Sequence, residues 1–197
     1  MTAKEMKIKV YSLIEEYYPD STVLAEDEDV IYKINGVINQ IITELMQYRK
    51  INAKTEIEIG ENDDKEINLK SYIDDLYQLN KIEISESVEY DMPDDETIIL
   101  PDNFVGKIKV YYYKYPEQMK LTFNSDDDSA AYDARFEFEL DTDALEVAPY
   151  GIAADLLKMD MISNYGRYFY ERYNEMKSLL RANNSKGTII ISGGYNV

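Results

Sequence analysis

Residues 88–119 set a stretch of strands between two halves of helical periodicity. They read Val-Glu-Tyr-Asp-Met-Pro-Asp-Asp-Glu-Thr-Ile-Ile-Leu-Pro-Asp-Asn-Phe-Val-Gly-Lys-Ile-Lys-Val-Tyr-Tyr-Tyr-Lys-Tyr-Pro-Glu-Gln-Met. Proline has no N–H to give to a ladder, so Pro93, Pro101 and Pro116 punctuate strands rather than interrupt them. The pattern predicts a strand near 82–90, an acidic turn, a short apolar strand ending at Leu100-Pro101 and a bend at Gly106. An aromatic strand closed by Tyr115-Pro116 follows, and the whole reads as a hairpin. Strand alternation puts Tyr111, Tyr113 and Tyr115 on one face and Tyr112 on the other.

Helical spacing flanks this module. Met6, Val10, Leu13, Ile14 and Tyr17 predict a helix over 3–17, stopped by Pro19. Acidic residues 26–29 open a second helix, where they favour its positive end, and it runs to about Lys50. Its stripe is Val30, Ile34, Val37, Ile41 and Leu45, with Ile31, Ile38 and Ile42 beside it. A stripe that wide implies burial against more than one partner. Gly36 costs about 1 kcal/mol in such a helix and suggests close approach by a neighbour. A third helix over about 145–164 buries Ile152, Ala153, Leu156, Leu157 and Met161, with Pro149 in its first turn. A fourth, over about 165–182, buries Phe169, Tyr173, Met176 and Leu180.

Between the halves, 55–59 alternates as a short strand and 60–65 is a polar loop. Residues 71–79 read as a helical turn and 81–90 as a strand. Residues 124–134, with Asp126, Asp127 and Asp128, read as either a mobile acidic loop or a disordered excursion. Residues 135–140 alternate as a last strand. The fold class is therefore α+β. Two N-terminal and two C-terminal helices make a four-helix core (3–50 and 145–182) around an inserted antiparallel β-module (54–140). Residues 1–187 form one domain, and 188–197 form a C-terminal extended arm.

The chain has no cysteine and no histidine. Thiolate chemistry is excluded, and with histidine go the usual general base and the commonest zinc ligand. Asp126–Asp128 and Asp141-Thr-Asp143 lack the alternating donors, central glycine and terminal glutamate of a calcium loop, and read as solvated acidic segments. No phosphate-cradling glycine loop and no nucleophile elbow occurs. The expectation is no enzyme, no cofactor and no metal.

The net charge of −18 opposes binding to nucleic acid or anionic membrane. It is unevenly spread: in 158–197 six cations face three acids, so that end is +3 and the rest is −21. Either helix C-termini collect the cations, or this end faces an acidic neighbour. No run reaches the ~18 apolar residues of a membrane span, and no secretory leader is legible, so the protein is expected in the cytosol when made. Nineteen tyrosines suit interfaces, although genomic bias raises tyrosine too. The strip Thr188, Ile189, Ile190, Ile191, with Tyr195 beyond a Gly-Gly pair, is β-prone. It either packs on its own sheet or adds a strand to another chain.

The pieces from Leu100-Pro101 to Tyr115-Pro116 and from Leu140 to Leu180 resemble the head-to-tail connector (portal adaptor, or neck ring) proteins of tailed bacteriophages. In the second piece Pro149-Tyr150-Gly151 precedes Ala153-Ala154. The acidic excursion at 124–134 departs from that family's pattern. The resemblance implies a structural virion protein without catalytic residues, made in the host cytoplasm and placed at the neck. Its partners would be a homo-oligomeric, twelve-fold ring, the portal protein and a tail or tail-completion protein. The ring would encircle DNA without sequence-specific binding and without membrane contact. Thr188, Ile189, Ile190, Ile191 and Tyr195 become candidates for portal or neighbour binding. Ile34, Ile38, Ile41 and Leu45 become candidates for core and inter-subunit helix contacts. The alternative is an anionic protein-binding module or nucleic-acid-mimicking inhibitor.

Overall fold

The computed structural model of the protein describes residues 1–15, 28–84, 88–157 and 164–183. The predicted stop at Pro19 and the arm at 188–197 lie outside them. The chain divides into two compact units. One holds residues 1–49, 119–137 and 141–197, and the other holds 50–118 and 138–140. Residues 119–137, grouped with the β-module on pattern alone, thus cluster with the helices. The fold is mixed α+β, with five helices and small antiparallel sheets among the described residues.

In the first unit the helices are α1 (Ala3–Leu13), α2 (Glu28–Met46), α3 (Asp126–Asp133), α4 (Thr142–Leu156) and α5 (Tyr165–Asn183). Thr2 caps α1 in a reciprocal box: its hydroxyl accepts from the Glu5 N–H at 3.2 Å, and the Glu5 carboxylate accepts from the Thr2 N–H at 2.8 Å. Helix α4 packs against α1, α2 and α5. Asp141 caps it by accepting from the Ala144 N–H at 2.8 Å. The helix begins earlier than its periodicity suggests, so Pro149 lies in the interior and not in the first turn. Proline there forfeits one backbone bond, yet α4 continues to Leu156, and nine of its residues are buried.

The largest departure is α3. The run Asp126–Asp128, expected to be a mobile loop, is the first turn of a helix capped by the Ser125 hydroxyl, which accepts from the Asp128 N–H at 3.2 Å. Three carboxylates at the positive end of a helix are favourable, and a disorder reading of the charge alone misses that.

The second unit has a three-stranded sheet, ordered β1 (Ile51–Ile59), β5 (Gly106–Lys114), β3 (Leu76–Ile84), and a two-stranded sheet of β2 (Glu66–Asn68) with β4 (Thr97–Ile99). All pairs are antiparallel. The Leu100-Pro101 string is therefore not a hairpin, because the strand before it and the strand after it join different sheets. Residues 76–79, expected in a helical turn, open β3, and only Leu69–Ser71 form a short 3₁₀ turn. Residues 88–90 carry no strand. The core joins Ile57, Ile59, Ile67, Leu69, Ile98, Leu100, Phe104, Ile108 and Val110. Residues 135–140 do not form a strand either. Phe136, Phe138 and Leu140 are buried, but the segment's ladder is a single bridge from Glu137 to Thr2. Alternation there records burial without pairing.

Candidate interaction surfaces

Ile34, Ile38, Ile41 and Leu45 are at most 3% exposed. They come together on one face of α2 and are spent on the interior of their own unit, whereas Ile31 and Tyr32 of the same helix are exposed. Gly36 does not mediate a close approach: a Cβ there would lie 4.0 Å from Leu121. That role falls to Gly151 on α4, where a Cβ would sit 2.8 Å from the Tyr173 ring and 3.1 Å from Ile41. Asn35 and Asn39, one turn apart on α2, hold the incoming backbone. Asn35 donates to the Lys120 carbonyl at 2.7 Å. Asn39 donates to the Met119 carbonyl at 2.9 Å and accepts from the Met119 N–H at 2.8 Å. Polar residues at i, i+4 beside an apolar stripe are the sequence signal for such a role.

The aromatic strand β5 behaves as its alternation predicts. Tyr112 turns into the core, and its hydroxyl donates to Asp75 at 3.0 Å. Burial first, and that bond second, push the hydroxyl up to about 12. Tyr111 and Tyr113 stand on the outer face. The register puts Tyr111 between Lys54 of β1 and Lys81 of β3, and Lys109 between Glu56 and Glu83. Lys54 lies over the Tyr111 ring and Lys50 over that of Tyr113, at 5.5 and 4.5 Å. Lys107 pairs with Glu56 at 2.9 Å, and Lys81 with Glu83 at 2.6 Å. The Tyr111 hydroxyl donates to Glu83 at 2.9 Å. The face is a self-compensated lattice of charge and aromatic rings.

Helix α5 divides as its spacing predicts except at Met176, which is expected to be buried and is only partly so. Phe169, Tyr173 and Leu180 are buried, while Tyr165, Tyr168, Tyr170 and Leu179 are each about 60% exposed. Tyr165, Tyr168 and Phe169, with Asn164 and with Leu13 of α1, line an apolar groove of about 360 Å³. Lys177 reaches back to Glu44 at 2.5 Å and lies 4.4 Å from the Tyr173 ring. Burial and the neighbouring Glu44 carboxylate push the Tyr173 hydroxyl above its ordinary value.

The acidic segments hold structural posts. Asp126–Asp128 start α3, and Asp141 both caps α4 and pairs with Arg49 at 2.9 Å. Among the described residues no group of three acidic side chains is placed to hold a metal ion, and no helix is long and apolar enough to cross a membrane. The candidates Thr188, Ile189, Ile190, Ile191 and Tyr195 lie outside the described residues. No protein-family model and no curated protein matches the chain.

Proposed function

We propose that the protein is a structural virion component, a head-to-tail adaptor that forms a ring beneath a phage portal, extends the DNA channel and offers the tail its platform. The observation that carries this reading is the order of elements. Two helices precede a β unit inserted at residues 50–118, and the chain then returns to helices whose centre, α4, touches α1, α2 and α5. That is the order the Leu100-Pro101 to Tyr115-Pro116 and Leu140 to Leu180 resemblance implies. In this reading α1, α2, α4 and α5 are the protomer's four-helix core, and the β unit and the exposed tyrosines of α5 supply contacts to neighbours. The segment 188–197 is an arm for the portal or for a sibling subunit. The ring is dodecameric, and the protein acts at the neck without catalysis.

The test is assembly. The chain is co-expressed with a portal protein from the same genome and imaged by electron microscopy. A ring added to one end of the portal supports the proposal. A chain that stays monomeric beside intact portals and instead captures a basic enzyme overturns it. A second expectation concerns DNA. A chain of net charge −18 repels phosphates, so the isolated protein shows no duplex binding in a filter or mobility assay at ~150 mM salt. Measurable retention of duplex under those conditions counts against a channel that lets DNA slide.

A further inference from the structure

Helix α5 presents a second stripe besides the one it buries. Tyr168, Arg172, Glu175 and Leu179 follow one another at steps of four, three and four residues, so they line one side of the helix. All four are exposed. The stripe has an order: an apolar residue at each end and two opposite charges between them. Arg172 donates to Glu175 at 2.7 Å within the chain, which holds both charged groups on this side. Tyr168 is also a wall of the apolar groove beside Leu13. The local charge is unlike that of the whole chain. Residues 165–183 hold Arg167, Arg172, Lys177 and Arg181 against Glu171 and Glu175, a net of +2 within a chain of −18.

We infer that this stripe docks on the same stripe of a second copy, with the two α5 helices antiparallel. The argument is self-complementarity. A two-fold axis beside the helix, midway between residues 173 and 174, sets residue 172 opposite residue 175 of the other copy and residue 168 opposite residue 179. Arg172 then meets the other copy's Glu175, and the reverse contact follows by symmetry. Four charges of alternating sign form the centre. Tyr168 meets the other copy's Leu179 at each end, so an exposed leucine gains an apolar seat beside the groove. Steps of four and three residues suit helices that cross at a shallow angle. A second copy is favoured over another acidic protein because every position in this register finds its match in the stripe itself. Two chains of −18 also repel least where each is locally cationic. One helix pair falls short of the ~800 Å² per partner of a standard interface, so the dimer is weak, with a Kd on the order of 10 μM. A two-fold pair is closed, so it is a state of the free chain and must part before any ring forms. The inference does not rest on the adaptor reading, and a portal-free preparation tests it by itself.

Sedimentation of the full-length chain from about 1 to 300 μM reads the dimer directly. Two single variants, Arg172→Glu and Glu175→Arg, test the register. Each sets like charges opposite one another twice in its own dimer, so each should dimerise about tenfold more weakly than the parent. Both positions are exposed, so both variants should keep the parent's melting midpoint. Mixed in equal amounts, the two variants face each other with opposite charges at both central contacts. The mixture should therefore regain the dimer that neither forms alone. Leu179→Asp should weaken the dimer without rescue by either charge variant. A parent that stays monomeric throughout, or that passes straight to larger assemblies, overturns the inference. So does a dimer indifferent to the charge substitutions, or a mixture that stays as monomeric as its components.

Discussion

The Lys7–Asp133 pair is the clearest single-residue determinant in the helical unit. The ammonium of α1 meets the carboxylate of α3 at 2.6 Å, and both residues are 5% exposed. Burial holds Lys7 below its ordinary value, and Asp133 offsets this only in part. Burial and Asp133 together push the nearby Tyr11 hydroxyl up. Desolvating two charges rivals their attraction, so the pair contributes little net stability, yet losing one partner leaves the other charge stranded. Lys7→Met should therefore lower the unfolding free energy by about 3–5 kcal/mol, and adding Asp133→Leu should recover most of that loss. Urea melts of the three variants decide it; a Lys7→Met chain that melts like the parent would show that Asp133 is reached by water. The exposed Arg167–Glu171 pair is the contrasting case, and Arg167→Ala should leave the midpoint unchanged.

At the scale of elements, the helical unit depends on how closely α4 is approached. Gly151 faces the Tyr173 ring edge and Ile41, both buried, and an added methyl would stand 2.8 Å from the ring. Gly151→Ala gains helix propensity of up to ~1 kcal/mol, but overpacking costs about 1–3 kcal/mol. The expected result is a lower thermal midpoint; a higher one would mean that Tyr173 moves aside freely. Ile38→Asp, which buries a charge with no partner, should cost several kcal/mol (on the order of 3 or more) and abolish cooperative melting. These positions also show what the sequence made legible. The stripes of α2 and α5 were readable because a 3.6-residue period survives whatever the partner is. The exchange of strands between two sheets was not, because Pro101 and Gly106 mark where strands end and not what they pair with. Helix α3 was hidden because three consecutive aspartates read as disorder until the Ser125 cap and the helix dipole are considered together. Among candidate surfaces, the faces of β5 followed from alternation, but the lysine–tyrosine rows needed the register of β1 and β3. The groove beside Leu13 needed the approach of α1 to α5.

For the whole molecule, the informative axis is alkaline pH, because the titrating groups the fold perturbs most are tyrosines. The hydroxyls of Tyr11, Tyr112 and Tyr173 are all pushed up, with burial the leading cause in each, and Tyr112 reaches about 12. An unfolded tyrosine titrates near ~10. Between those values the folded chain retains protons that the unfolded chain has released. The stability from keeping these phenols neutral is thus fully present below about pH 10, and it is lost as pH rises through the folded values. Lys7 has the opposite sign: its folded value is lowered, so its burial is relieved as pH rises toward the unfolded lysine range. It is one group against three. The second alkaline effect is electrostatic, since a chain already at −18 grows more negative as lysines lose their protons. Salt separates the two, because ~1 M salt screens repulsion between exposed charges and leaves a buried phenol almost untouched. The thermal midpoint measured in high salt should hold steady to about pH 10 and fall steeply by pH 12. Tyr112→Phe should melt lower at neutral pH, by about 1 kcal/mol for the lost bond to Asp75, and should show a shallower alkaline fall than the parent. If both chains fall with the same slope in high salt, Tyr112 does not set the alkaline limit, and the buried hydroxyls of Tyr11 and Tyr173 do.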